Sequence, residues 1–310
     1  MKRIISSENI EILMDESSPL KTKSKIAEVF TGISENKKIL IKKLKAADSI
    51  NHTLLIKLLT EHKINCEFYN KTDCHLIKYE NNVFISRPFL EGISLDNYLK
   101  SIQLSKNSKE IILEIWIKTL LQLKILHNKN IIHRDIKPSN ILINTENEIR
   151  VHLIDFGQSN FVNQQDQEKR IPFSLIYSPP EQVLNFRELC GFPSDFYALG
   201  LTMYEVFTKT KAFKHFNPEL LMNMMISMPL DFSEIKDTEI ARIIKKSSFK
   251  SSLGKPPGFY NTQDLKLFLI NDISHRYQKI EDYIGDLEIL KSKSVIGKRS
   301  NNLLKRLLNR

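Results

Sequence analysis

The sequence predicts an α+β chain, with strands gathered near its start and helices filling the remainder. Three observations carry this reading. Between residues 10 and 88, apolar residues alternate in short runs broken by Gly, Ser and Asn, as half-buried strands do. From residue 108 onward they recur at helical spacing, most plainly in IILEIWIKTLLQLKILH. Between the helical stretches lies a compact polar turn, IIHRDIKPSNIL at residues 131–142, pinned by apolar flanks and followed by VHLIDFGQ.

The chain of 310 residues is long enough for two modest domains or one large one. At 41% hydrophobic and 26% charged, it has the composition of an ordinary globular protein. No run of 18 apolar residues occurs and the N-terminal MKRIISSENIEILMDE has no apolar signal region, so a cytoplasmic location is expected. Cys66, Cys74 and Cys190 are few and odd in number, as reduced thiols are. The Cys74-His75 pair lacks a second close ligand pair, so a metal site is not expected there. Lys and Arg exceed Asp and Glu by 46 − 36 = 10. Because Lys, Asn and Ile are all abundant, this excess is weak evidence for an acidic partner, and no nucleic-acid partner is expected. No internal repeat is present.

Taken in order, residues 1–20 read as a leader with one strand at residues 10–14. LKTKSKIAEVFTGISENKKILIKKL reads as a hairpin and a third strand, with Gly32 and Ser34-Glu35-Asn36 as turn residues. Residues 46–63 have the spacing of an amphipathic helix, with Leu54, Leu55, Leu58 and Leu59 in a stripe. HLIKYENNVFIS reads as two strands joined at Asn81-Asn82. Residues 108–128 form a buried helix carrying Trp116, the single tryptophan. Gly254, Pro256, Pro257 and Gly258 mark a loop between later helices. The tail, residues 291–310, has seven basic residues and no acidic one, with Leu303, Leu304, Leu307 and Leu308 on one helical face. A final helix docked on the body is favoured over peripheral contact with an anionic membrane.

The spelling HRDxKPxN, followed at close spacing by Asp155-Phe156-Gly157, resembles the catalytic and metal-binding loops of eukaryotic-type (Hanks-type) serine/threonine protein kinases. Further matches lie downstream: Ser174, Tyr177, Pro180 and Glu181 before a helix with Asp195 and Gly200, then a late Arg276. The resemblance covers roughly residues 20–290. It implies a two-lobed protein kinase-like fold, with a small β-rich N-lobe at 21–90, a larger helical C-lobe at 91–290 and a basic tail at 291–310.

The resemblance also implies roles, all for a reaction dependent on ATP and Mg²⁺. Asp135 is the base that takes the proton of an attacking hydroxyl, Lys137 contacts the phosphate, and Asn140 and Asp155 are metal ligands. Val29 and Leu142 border the nucleotide, Lys42 reaches its phosphates, and backbone groups of Pro88 and Leu90 meet the adenine edge. Glu61, 19 residues beyond Lys42, is the one carboxylate suitably placed to pair with it, although the apolar register favours Leu55 at that helical position. Arg87 takes a position usually apolar or small, and either reaches outward or pairs with an acid. Asp195 is implied to bind backbone N–H groups of the catalytic loop, and Arg276 to bridge Glu181.

The sequence departs from the family in its phosphate loop, where Thr22, Ser24 and Ala27 replace glycines, and at Leu40, which replaces an alanine. Residues 160–173 contain no Ser, Thr or Tyr, so loop phosphorylation is not expected to be the main switch unless Ser159 or Ser174 serves, and Asp166 or Glu168 is the candidate permanent partner for Arg134. The expected activity is phosphoryl transfer from ATP to serine or threonine of a protein substrate. A pseudokinase scaffold and a small-molecule kinase are the alternatives.

Overall fold

The structure is a computed structural model. It describes residues 2–5, 10–17, 19–20, 27–45, 51–79, 82–101, 108–162, 164, 170–171 and 173–308, with side chains omitted at 2–5 and 295–308. The loop positions Thr22, Ser24, Asp166 and Glu168, and the Asn81 turn position, lie outside the described residues.

In chain order the strands and helices begin with β1 (Lys2–Ile5), β2 (Glu11–Met14), β3 (Ala27–Ser34), β4 (Lys37–Leu44), α1 (His52–Phe68), β5 (Leu76–Tyr79) and β6 (Asn82–Pro88). There follow β7 (Ile93–Ser94), α2 (Leu95–Ser101), α3 (Ser108–His127), β8 (Ile131–Ile132), β9 (Ile141–Asn144), β10 (Arg150–Leu153) and β11 (Asn160–Phe161). The rest is helical: α4 (Pro180–Val183), α5 (Phe192–Thr208), α6 (Pro218–Ser227), α7 (Thr238–Ser247), α8 (Thr262–Ser274) and α9 (Ile280–Leu308). No described helix is long and apolar enough to cross a membrane.

The chain divides into two compact units. The first comprises Met1–Glu91, Asn128–His133 and Asp155–Arg170. Its main sheet runs in the order β1-β2-β3-β4-β6-β5. Alternation decides which side chains enter the interior: Ile39 and Ile41 of β4 turn in beside Phe30 of β3, while Lys38 faces out. Glu35 and Asn36 close the β3–β4 hairpin with φ of 49° and 62°, the left-handed pair that a two-residue turn needs.

Gly32 is not part of that turn. It lies within β3, where an added Cβ would come within 2.8 Å of the Leu13 carbonyl oxygen, so it serves close strand approach. The predicted leader is also corrected. β1 and β2 pair antiparallel with each other, β2 pairs with β3, and main-chain bonds from Asp15 and Leu20 continue along β3 to Thr31 and Val29. Buried Ile12 and Met14 explain why this segment belongs to the sheet. The helix predicted at 46–63 is described from His52, where the Asn51 side chain accepts from the N–H groups of Thr53 and Leu54, and it runs on to Phe68. Leu54 and Leu58 of α1 pack on Leu44 and Ile85 of the sheet.

The second unit comprises Gly92–His127, Arg134–Ile154 and Ile171–Arg310. Its core surrounds fully buried Trp116 of α3, whose indole N–H donates to the Tyr283 hydroxyl at 3.1 Å. A three-stranded sheet, ordered β10-β9-β7, follows the HRD turn. The boundary expected at 291 is absent, because α9 runs unbroken through it. That helix docks on α3, where Lys291 pairs with Glu114 and the Ser294 hydroxyl bonds Glu110.

Candidate active site

Within the first unit, Lys42 sits mid-strand on β4, opposite Val29 of β3 and Ile85 of β6. Its ammonium donates to both Glu61 carboxylate oxygens, at 2.9 and 2.7 Å, and lies 3.5 Å from Asp155. Glu61, not Leu55, is therefore the partner that α1 supplies. Burial alone would push the Lys42 ammonium down, but the Glu61 and Asp155 carboxylates outweigh it and hold it above its ordinary range. Burial pulls Glu61 upward and Lys42 opposes that pull. The two short contacts identify the working state as an ion pair.

Gly157 leaves the cluster room. A Cβ there would lie 3.2–3.3 Å from an Asp155 oxygen, a Glu61 oxygen and the Lys42 nitrogen, crowding all three. Asp155 itself adopts φ 64° and is half-exposed at the side chain. The next residue, Phe156, is buried against the Phe68 ring of α1 at 4.9 Å and the His133 ring at 5.4 Å. The β8–β11 ribbon and a hydrogen bond from the Ser159 hydroxyl to the His133 carbonyl hold this loop in place.

Pro88 ends β6, paired with Ile39, and Leu90 follows in extended chain. The Arg87 guanidinium donates to the Pro88 carbonyl at 3.0 Å and lies over the Tyr69 ring. It neither leaves for solvent nor forms a direct ion pair, although its charge reaches Glu61. The expected adenine-facing carbonyl thus already has a donor. Sequence reasoning missed this contact, which follows only from having a long cation one residue before that proline.

Within the second unit, the HRD turn is held from beneath by Asp195, near the N-terminus of α5. One Asp195 oxygen accepts from the Arg134 backbone N–H at 2.9 Å and the other lies 2.9 Å from His127 Nε2. The Arg134 carbonyl accepts from Gln182 at 3.0 Å. Arg134 has φ 64°, a left-handed conformation costly for a long side chain, and these buried bonds stabilise it.

Asp135 is thereby presented with its carboxylate bound on both sides. The Asn140 amide donates to the Asp135 carbonyl at 2.8 Å and to Oδ2 at 2.9 Å, and Lys137 donates to Oδ2 at 2.7 Å. Ser174 donates its hydroxyl to Oδ1 at 2.5 Å and accepts from Lys137 at 2.9 Å. The Pro138–Asn140 turn leads into β9, where Leu142 is partly buried between Ser94 and His152.

Glu181 and Arg276, both fully buried at the side chain, form a bidentate pair at 2.6 and 3.1 Å, with Ser194 also donating to Glu181 at 2.8 Å. Arg276 donates further to the Phe249 carbonyl. The structure thus assembles Lys42, Glu61 and Asp155 in one unit and Asp135, Lys137 and Asn140 in the other. His127 and Gln182 were not foreseen, since a lone His or Gln on an apolar stretch gives no sequence signal.

These arrangements agree with comparisons to known proteins. The chain is 28% identical to a probable serine/threonine-protein kinase, mkcF, of Dictyostelium discoideum over 58% of its own length and 26% of that protein's. It is 26% identical to an Aurora kinase of Eremothecium gossypii, over 66% of its own length and 55% of the relative's. It is 32% identical to the MAP kinase kinase MKK1/SSP32 of Saccharomyces cerevisiae, over 55% of its own length and 34% of the relative's. The matches thus span between about a quarter and about half of these relatives. The family described as protein kinase domain matches residues 23–284, which takes in Lys42, the HRD turn, Asp155 and the Glu181–Arg276 pair alike. By that match and that geometry, the chain belongs to the protein kinase domain family.

Proposed function

We propose that the chain is an ATP-dependent protein serine/threonine kinase. The observation that supports this best is the state of Asp135. Its Oδ2 is fixed by Asn140 and Lys137, while Oδ1 accepts a hydrogen bond from an alcohol, the Ser174 hydroxyl, at 2.5 Å. A substrate serine or threonine presents the same group. In this reading Asp135 orients the incoming hydroxyl and takes its proton, and Lys137 neutralises charge on the phosphoryl oxygens.

Asn140 and Asp155 suit a hard divalent cation. Both N–H groups of the Asn140 amide are engaged by Asp135, which leaves its oxygen as the donor atom, and the half-exposed Asp155 offers a carboxylate. Bound magnesium-ATP supplies the activated phosphoryl group. Lys42, held by Glu61, would steady the nucleotide phosphates, with Val29 and Leu142 bordering its base and Pro88 and Leu90 at its edge. We also infer a reducing, cytoplasmic setting, consistent with three unbridged cysteines.

The test is transfer of labelled phosphate from ATP to a mixed protein substrate, with Asp135→Asn as control. Label on serine and threonine, lost in the control, is expected. Nucleotide binding with no transfer to any acceptor would replace this reading by a pseudokinase scaffold. Transfer to small metabolites alone would replace it by a small-molecule kinase.

A further inference from the structure

The first unit holds a cavity of about 220 Å³, and none of Lys42, Glu61 and Asp155 lines it. Three parts of the chain build its wall. The β3–β4 hairpin contributes Ser34, Lys37 and Ile39, the Lys71–Asp73 turn that follows α1 contributes Thr72, and the chain leaving β6 contributes Pro88 and Phe89. The Phe89 side is fixed twice over. Its N–H donates to the Lys38 carbonyl at 3.1 Å, and the Lys38 ammonium lies 3.9 Å from the centre of its ring. On the solvent side, Lys37 pairs with Asp73 at 2.8 Å.

We propose that this cavity binds a small neutral aromatic molecule carrying one hydrogen-bonding group, an amide or an alcohol. Ser34 points to a ligand first. It belongs to the cavity wall and is only 4% exposed, yet its hydroxyl has no hydrogen-bond partner among the described residues. A buried hydroxyl left in that state costs stability, and a ligand group beside it recovers the bond. The apolar part of the wall, Ile39, Pro88 and the Phe89 ring, suits the face of a flat ring. An apolar cavity of ~150 Å³ takes up benzene, so this larger one has room for a ring and a polar substituent.

The charges around the cavity select a neutral ligand. Lys37 and Lys38 are matched in number by Glu35 and Asp73. Lys37 is engaged by Asp73 and Lys38 by the Phe89 ring, so a charged ligand has to break one of these contacts or lose its hydration uncompensated. Water in the cavity reproduces the bond to Ser34 but gains nothing from Ile39, Pro88 and Phe89, and a ring displaces it favourably. An occupant also ties two elements together. The β3–β4 hairpin continues along β4 to Lys42, and the Lys71–Asp73 turn follows the helix that carries Glu61.

Benzamide is the probe, titrated into the full chain by calorimetry, with benzoate and benzylamine as charged controls of similar shape. Benzamide is expected to bind with a dissociation constant on the order of 1 mM, as suits a fragment of its size, and both controls more weakly. Backbone amide exchange should slow at residues 34–38 and 71–75 when benzamide is present. Ser34→Ala removes the hydroxyl and should weaken binding roughly fivefold, with a urea midpoint no lower than the parent's. Thr72→Trp, at an exposed position on the turn, should fill the cavity and abolish binding while the chain stays folded. None of these measurements depends on phosphoryl transfer. A cavity that holds water only, with no heat of benzamide binding, would overturn the assignment. So would displacement of benzamide by magnesium-ATP, tighter binding of either charged control, or binding unchanged in Ser34→Ala or Thr72→Trp.

Discussion

The turn around Asp135 and the cluster around Lys42 are fixed by different means. The turn is held through its backbone, with Asp195 and Gln182 gripping Arg134 and Asn140 gripping Asp135, all through buried hydrogen bonds. The Lys42 cluster is held by charge, one ammonium between two carboxylates, with a glycine leaving them room. A backbone-held turn needs many particular residues, so its spelling stays close to the family's. A charge-held cluster needs only a few groups to meet, and the chain around it has departed further, at Leu40 and Arg87 among others.

The largest expected effect tests the turn. Asp135→Asn should lower kcat by about 10²–10⁴ with little change in stability, because the amide keeps the shape but loses the base. A loss of only a few-fold, measured by initial rates, would put the chemistry elsewhere. Next is the buried pair beneath it. Arg276→Met leaves the Glu181 charge uncompensated in the interior and should cost about 3–5 kcal/mol in chemical denaturation. A cost under 1 kcal/mol would mean that the pair contributes little to holding the fold.

Two buried lysines extend the contrast. Lys42 has two carboxylates and is pushed up. Lys250 donates to the Met225 carbonyl at 2.5 Å beneath the Phe213 ring and touches no acid, so burial, aided by Arg276 and only partly opposed by Asp272, pushes it down to about 7. The unfolded chain keeps this proton to about 10.5, whereas the folded chain releases it near 7. Between those values the unfolded state binds more protons, so raising the pH favours the fold. In urea melts the parent should gain on Lys250→Met between pH 7 and 10. A constant gap would mean that Lys250 titrates normally. The smallest effect is at the Pro88 carbonyl. Arg87→Thr removes its present donor, and one recovered hydrogen bond of about 1 kcal/mol predicts roughly fivefold tighter ATP binding by calorimetry.

How much could be read beforehand follows the same division. The catalytic turn, Asp195 and the Glu181–Arg276 pair were legible because each is a fixed residue type at a fixed spacing. Glu61 was legible only as a choice, since helical periodicity ranks faces by hydrophobicity while an ion pair is chosen by what lies opposite. Of the strands in the leader, β2 was expected at residues 10–14 and the edge strand β1 was missed, because a short strand in a polar leader resembles any extended tail until a partner strand is known. Gly32 was misread because a glycine that admits a neighbouring strand and a glycine that turns the chain look alike in sequence.

Gly157 has a consequence for how this chain tolerates change. Every other amino acid adds at least a methyl where three charged atoms already crowd the empty side. A saturation library scored for phosphoryl transfer should therefore show small residues best tolerated at position 157, each at the expense of spreading the Lys42 cluster, while position 135 stays blank. One position is limited by the chemistry it performs, the other by the room it leaves.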